Sequence, residues 1–130
     1  GLAETGSGKT LAFGLPLLHK LLSRGQRPAP KTVRALILAP TRELARQIHD
    51  ALLPFTRLSH LPIGLVTGGV GFTPQIERLA RGLAVLVATP GRLIDLMDRG
   101  SVDLSRTEAL VLDEADQMLD MGFIHALRRI

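Results

Sequence analysis

Four short, nearly uninterrupted apolar runs punctuate the chain: Ala35–Ala39 (ALILA), Ile63–Thr67 (IGLVT), Ala84–Ala88 (AVLVA) and Ala109–Leu112 (ALVL). Strands covered on both faces read this way, because a parallel sheet lies between two layers of helices and has no solvent face to alternate towards. A turn and a segment of helical spacing follow. Leu44, Ala45, Ile48 and Leu52 share one helix face after the first run, Ile76, Leu79 and Ala80 after the second, and Leu93, Leu96 and Met97 after the third. Thr73 can cap the second of these helices with Pro74 in its first turn, where a missing N–H costs nothing, and Gly82 and Gly100 are credible stops. Ahead of the first run, Leu11, Phe13, Leu15, Leu18 and Leu22 predict a helix from about Lys9 to Arg24, bent by Pro16. The polar, proline-broken segment 25–31 predicts a surface loop. Repeated strand, turn and helix imply right-handed βαβ units. The fold class expected is α/β, an open parallel sheet with helices on both faces.

Composition narrows this picture in a few respects. At 130 residues and 45% hydrophobic content the chain is long enough for one domain with a genuine core. It has no Trp or Tyr and four Phe, so Leu, Val, Ile and Ala must fill that core. The absence of cysteine excludes disulfides, cysteine-type zinc sites and thiol catalysis. A formal charge of +4, carried mostly by arginine, is compatible with a polyanionic partner but does not demand one. No apolar run approaches the roughly 20 residues needed to span a bilayer, so no membrane partner is expected and a cytoplasmic location is the default. Both ends look like cuts in mid-pattern, and residues 1–130 read as one piece of one domain.

Two segments carry chemistry. Residues 3–10, Ala3-Glu4-Thr5-Gly6-Ser7-Gly8-Lys9-Thr10, fit the phosphate-loop pattern except that Ala3 stands at its first glycine. Gly6 and Gly8 would let the backbone curl into a nest of N–H groups for the β-phosphate of a nucleotide at the start of a helix. Lys9 would reach the β- and γ-phosphates, and the Thr10 hydroxyl would ligate Mg²⁺. The strand that should feed this loop would lie before Gly1. Far along the chain, ALVL delivers Asp113 and Glu114 at the carboxyl end of a strand, where open α/β sheets place their ligands. Asp113 there can hold Mg²⁺ through its water shell, and Glu114 can orient and polarise an attacking water. A solvated acidic turn capping the next helix is the plainer alternative for the pair taken alone. Lys9, Thr10, Asp113 and Glu114 together make the expected catalytic core of a Mg-ATP hydrolase.

Asp113-Glu114-Ala115-Asp116 spells the string that names the DEAD-box RNA helicases, and its surroundings VLDEADQMLDMGF resemble that family closely. AETGSGKT at 3–10, PTRELARQI at 40–48, TGG at 67–69 and TPGRL at 89–93 follow the family's order. Ala3 is itself the form usual there, and the ending MGFIHALRRI looks like the bacterial branch. The resemblance covers essentially the whole chain. It implies the first RecA-like domain of an RNA-dependent ATPase that clamps single-stranded RNA and separates short duplexes, with ATP and Mg²⁺ as cofactors. It implies a coupling role for Asp116, and RNA contact by Pro40, Thr41, Arg42 and Glu43, by Gly68 and Gly69, and by Thr89, Pro90, Gly91 and Arg92. It further implies that the upstream adenine-reading segment, the downstream coupling motif and the second domain with its arginine finger lie outside these residues, so the piece alone should hydrolyse ATP negligibly and unwind nothing.

The residues themselves agree with such an RNA edge. Each middle motif directly follows a predicted strand, so the loops gather along one edge with N–H groups exposed. Arg42 and Arg92 can add charge-assisted contacts to phosphate oxygens, while Gly68, Gly69 and Gly91 permit close approach of the main chain. Contacts of this kind carry little base information, so binding should be independent of sequence. Each element also has an ordinary reading: Thr41 and Thr89 as helix caps, the glycines as turns, Arg42 in a surface ion pair. Two other functions stay open, a translocase driven by duplex DNA and a non-catalytic RNA-binding remnant. His19, His49, His60 and His125 lack metal-ligand spacing, and Met118, Met121 and Phe123 read as packing.

Overall fold

A computed structural model describes residues 2–24 and 28–113, with side chains from 11–23 and 28–113. The elements are helix α1 (Leu2–Arg24), strand β1 (Val33–Leu38), helix α2 (Arg42–Leu58), strand β2 (Ile63–Val66), helix α3 (Phe72–Ala80), strand β3 (Leu83–Ala88), helix α4 (Pro90–Asp98) and strand β4 (Ala109–Leu112). All pairings are parallel and the sheet order is β2-β3-β1-β4. Right-handed crossovers account for the layering. The chain steps outward from β1 to β2 through α2 on one face. It must then return through α3 on the opposite face to lay β3 between them, and it continues the same way through α4 to β4.

The pleat divides the core accordingly. Ala35, Ile37, Val85 and Val87 face α1 and α2, where Leu17, Leu18, Leu21, Ala45, Ile48 and Leu52 cover them. Their neighbours Leu36, Leu38, Leu86 and Ala88 face α3 and α4, under Leu79, Leu93 and Leu96. Every residue of β1 and β3 is buried, as the unbroken apolar runs predict. Gly14 lets α1 close onto α2, since a Cβ there would overlap the Leu52 side chain. The strand β1 begins two residues earlier than the apolar run and takes Arg34 inside. That guanidinium is only 6% exposed and is held by Glu108 at 2.8 Å, across the sheet at the approach to β4.

Gly82 and Gly100 stand just past α3 and α4 at φ 81° and 70°, where glycine carries no Cβ penalty, and they end those helices as expected. Three expectations change. The first helix starts at Leu2 and not near Lys9. The cap of α3 is Gly71, because Phe72 joins the helix and its ring packs under Arg92 and Arg99, 4.0 and 3.8 Å from the centroid. The inward stripe of α3 is therefore Phe72, Gln75, Ile76 and Leu79, and Ala80 is left facing solvent.

Candidate functional site

The carboxyl ends of the four strands are laced together beyond the strands themselves. Asp113 donates its backbone N–H to Leu38 O at 2.9 Å, Ala39 to Ala88 O at 3.0 Å, and Thr89 to Val66 O at 3.1 Å. The motif loops therefore lie side by side in the order Asp113, 40–43, 89–92, 67–69. At roughly 4.8 Å per strand, the acidic end and the glycine end are about 14 Å apart.

Each loop is fixed by its own chemistry. Pro40 is buried behind the edge, and Thr41 caps α2 by accepting from the Leu44 N–H at 3.1 Å. Glu43 sits in the first turn of α2, where a negative charge suits the helix dipole. Arg42 is exposed and makes no ion pair among the described residues; its guanidinium lies over Gly69, where any Cβ would collide with it. Gly69 has φ 80°, so the turn needs glycine on both counts. Gly68 and Gly91 differ, because a Cβ at either would meet open space. Their bare backbone satisfies no internal packing need and leaves room for something outside to come close. Thr89 occupies the cap position of α4 without a side-chain cap bond, followed by Pro90.

Arg92 has a larger internal role than its sequence position suggests. Its Nη1 donates to Val70 O at 2.7 Å and to Gln75 Oε1 at 3.0 Å, tying α4 to the loop after β2. Gln75 is buried and in turn donates to Thr67 O at 3.1 Å. This glutamine was not among the expected site residues. Its signal was present, a polar side chain between Phe72 and Leu79 on the inward stripe of a helix.

The nucleotide half is arranged otherwise. The backbone of 3–10 continues α1, so its N–H groups run along the helix axis and do not form the expected nest. The physical reason lies in the residues themselves, since Leu2, Ala3, Glu4 and Lys9 favour helix. The side chains of Ala3, Glu4, Thr5, Ser7, Lys9 and Thr10, together with Glu114, Asp116, Met118, Met121, Phe123 and His125, lie outside the described residues, and with them the separation of Lys9 from Asp113. The direction of α1 is nevertheless clear. Leu21 and Leu22, near its C-terminal end, line a cavity with Arg34, Pro62 and Gly82 at the strands' amino ends, so its N-terminal end runs towards the edge that carries Asp113. Asp113 is itself 8% exposed.

Among the described residues no group of three or more His, Cys, Asp or Glu could hold a metal ion. His49 lies 3.1 Å from Asp50 Oδ1, and His60 ends α2 in the left-handed region at φ 55°. Among the described residues no helix is long and apolar enough to cross a membrane.

Comparison with known proteins adds the following. The family described as DEAD/DEAH box helicase matches residues 1–130. The chain is 49% identical over 130 residues to the ATP-dependent RNA helicase dbp3 of Aspergillus niger, covering 100% of this chain and 26% of that protein. It is 49% identical over 128 residues to the ATP-dependent RNA helicase vasa of Drosophila melanogaster, covering 98% of this chain and 19% of vasa. Among solved structures it superposes on the yeast DEAD-box splicing factor Prp28 with a TM-score of 0.84 and 39% identity, over 96% of this chain and 30% of that one. A hypothetical ATP-dependent RNA helicase from Sulfolobus tokodaii gives 0.78 and 38%, over 95% and 34%. These neighbours carry the same parallel sheet and helix layers. The chain thus spans about a quarter of the curated relatives' length, and the relatives named, fungal and insect, give no support to a bacterial branch.

Proposed function

Because this chain belongs to the DEAD/DEAH box helicase family, matched from residue 1 to 130, we propose that it supplies the ATP site and part of the RNA grip of an ATP-dependent RNA helicase. One observation carries the reading: a buried aspartate follows β4 on the same laced edge that presents the arginine- and glycine-bearing loops 40–43, 89–92 and 67–69 on its neighbours. An NTP site at one end of that edge and a backbone grip at the other put hydrolysis and RNA within three strand spacings.

On the RNA side, the loops offer backbone N–H groups, bare glycine main chain at 68 and 91, and the exposed Arg42 guanidinium. The N–H groups and the guanidinium are donors suited to phosphate and sugar oxygens. The grip is therefore to phosphate and sugar, independent of base sequence, on single strands or short duplexes. Arg92 acts first by holding the 67–70 loop in shape, and any phosphate contact comes from its remaining N–H groups.

On the ATP side, Asp113 fits the part of a magnesium ligand, with a backbone fixed to Leu38 and a carboxyl drawn in from solvent. Asp113 and Thr10 would hold the ion, which when bound offsets triphosphate charge. Lys9 pairs with the β- and γ-phosphates, Glu114 orients the attacking water and takes up its proton, and Asp116 links the site to the elements that answer hydrolysis.

Nucleotide titration and turnover of the full-length protein test this division. Glu114→Gln is expected to leave ATP binding within about twofold while hydrolysis falls by roughly 10² to 10⁴, the range for losing a positioned base. Lys9→Ala should weaken ATP binding by on the order of 10- to 100-fold, as for the loss of a charged hydrogen bond. Loss of binding confined to the glutamate variant would reverse the roles, and ATP turnover raised equally by duplex DNA and single-stranded RNA would argue for a translocase on duplex DNA against an RNA helicase.

A further inference from the structure

The outer edge of β2 borders a cavity of about 670 Å³, walled by Arg42, Arg46 and His49 of α2 on one side and by Gln75 and Arg78 of α3 on the other. Glu43 is the one carboxylate in its lining. Such a groove beside an edge strand could take a peptide by strand addition, which needs alternating free N–H and C=O groups. The pleat of β2 shows which groups face outward. Pro62 O and Val66 O accept from Val85 and Thr89 on the β3 side, so the odd residues 63, 65 and 67 present their groups to the cavity. Two of those three carbonyls are already taken. Arg78 Nε donates to Ile63 O at 3.2 Å, with its Nη2 on the same oxygen, and Gln75 Nε2 donates to Thr67 O at 3.1 Å. Two of the three outward acceptors of the edge are thus covered by side chains, leaving Leu65 O between them, while the donors of the edge and the three guanidinia remain on the cavity side. A lining of this kind rejects a strand and suits an anion.

We propose that this groove is a further phosphate subsite, which takes the backbone of the nucleic-acid strand after it leaves the loop edge, with Arg46 as its anchoring residue. The inference rests on the RNA reading above. Arg42 connects the two sites, since its guanidinium lies over Gly69 of the loop edge and also lines the groove. Arg46 is exposed and four residues further along α2, about 6 Å down the axis, so a strand passing Arg42 meets it next. The contact reads charge and not base. It adds length to the footprint without adding sequence preference.

The test compares single-stranded RNAs of increasing length, bound by the full-length protein over a range of salt. Arg46→Gln should leave the shortest bound RNA unaffected and weaken longer ones by roughly fivefold at 0.1 M salt, with the salt slope reduced by about 0.7, the value for one lost single-strand phosphate contact. Arg46→Lys should keep the slope. Arg42→Gln should weaken short and long RNAs alike. If Arg42→Gln has no effect on any RNA, the RNA reading of the edge itself falls. If Arg42→Gln acts but Arg46→Gln changes neither affinity nor slope at any length, the groove proposal alone falls. An oligoglutamate peptide is the remaining arm: binding to the groove that Arg46→Gln abolishes, with RNA unchanged, would assign the groove to an acidic protein partner and overturn the proposal.

Discussion

Two glycine-bearing segments in this chain have the same job by sequence, to bare backbone N–H groups to phosphate, and they are in opposite conformations. The turn at 67–70 is formed: Gly69 is left-handed, Arg42 lies on it, and Arg92 and Gln75 hold its carbonyls from two different helices. The segment 3–10 is helix. Glycine count does not separate them. What does is bracing among the described residues, since the first turn is fixed between β2 and α3 and cross-braced from α4, whereas the second runs on into α1 as helix. A phosphate loop is a strained departure from helix, and it persists only when strands or ligand hold it there.

The comparison can be disturbed most strongly from below. Both segments hang on the sheet, and the sheet encloses the Arg34–Glu108 pair, 6% and 19% exposed. Glu108→Ala removes the carboxylate paired with a nearly buried guanidinium and is expected to cost about 3 kcal/mol, the scale for breaking such a pair. Because Glu108 directly precedes β4, the loss should fall first on the pairing that aligns Asp113 and least on the β2 and β3 loops. Urea unfolding measures the total; hydrogen exchange resolved by residue checks the order, and uniform loss across all four loops would show that the edge unfolds as one unit.

Substituting the glycines themselves sharpens the contrast, because the same change should have opposite signs. Gly69→Ala meets both a positive φ and the Arg42 guanidinium, and it should destabilise by roughly 1 to 2 kcal/mol. In the 130-residue chain, Gly6→Ala and Gly8→Ala replace helical glycines and should each stabilise by about 0.5 to 1 kcal/mol. If the segment curls around phosphate as proposed, the same two substitutions should instead impair ATP binding in the full-length protein. Thermal unfolding of the short chain and nucleotide titration of the long one check the two halves. Destabilisation of the short chain by Gly6→Ala would mean that the loop forms there.

The same distinction explains what could be read from the sequence. β1 and β3 were legible because burial on both faces leaves an unbroken apolar run; Ala109–Leu112 coincides with its run residue for residue, although its burial is only partial and Leu110 is 49% exposed. Helix ends with a single chemical cause, Thr41, Gly82 and Gly100, were legible too. Arg34 was missed because a charge inside a strand is tolerated only through a partner 74 positions away, which no local pattern reveals. The start of α3 was misplaced because Phe72 joins the helix for contacts with Arg92 and Arg99, again tertiary. At the site, the expected loops 40–43, 67–69 and 89–92 do come to one edge with Asp113, but Arg92 as a strut and Gln75 as its partner required the fold. The start of α1 was misread because the motif describes a curled loop, while Leu2, Ala3, Glu4 and Lys9 themselves favour helix.

The smallest expected effect concerns the approach to β4, whose position sets Asp113 against the formed loops. Asp103 bridges to Thr32 and turns its carboxylate onto the Ser105 N–H at 2.9 Å, closing the bend that feeds the strand. That backbone bond, the Ser105 hydroxyl and the nearby Arg106 charge hold its carboxyl below the usual aspartate value. The folded state therefore binds this proton less readily than the unfolded chain, and the contribution to stability is complete above the ordinary aspartate range and is lost as pH falls through the lowered value. Since the side chain is exposed, the effect should be slight, detectable as a shallower acid limb in the pH dependence of unfolding for Asp103→Asn, which keeps an acceptor for Ser105 but no charge. An unchanged acid limb would assign the hold on this bend to the backbone bond from Asp103 N–H to Lys31 O at 2.8 Å, and the ordering of β4 would then owe nothing to the carboxylate.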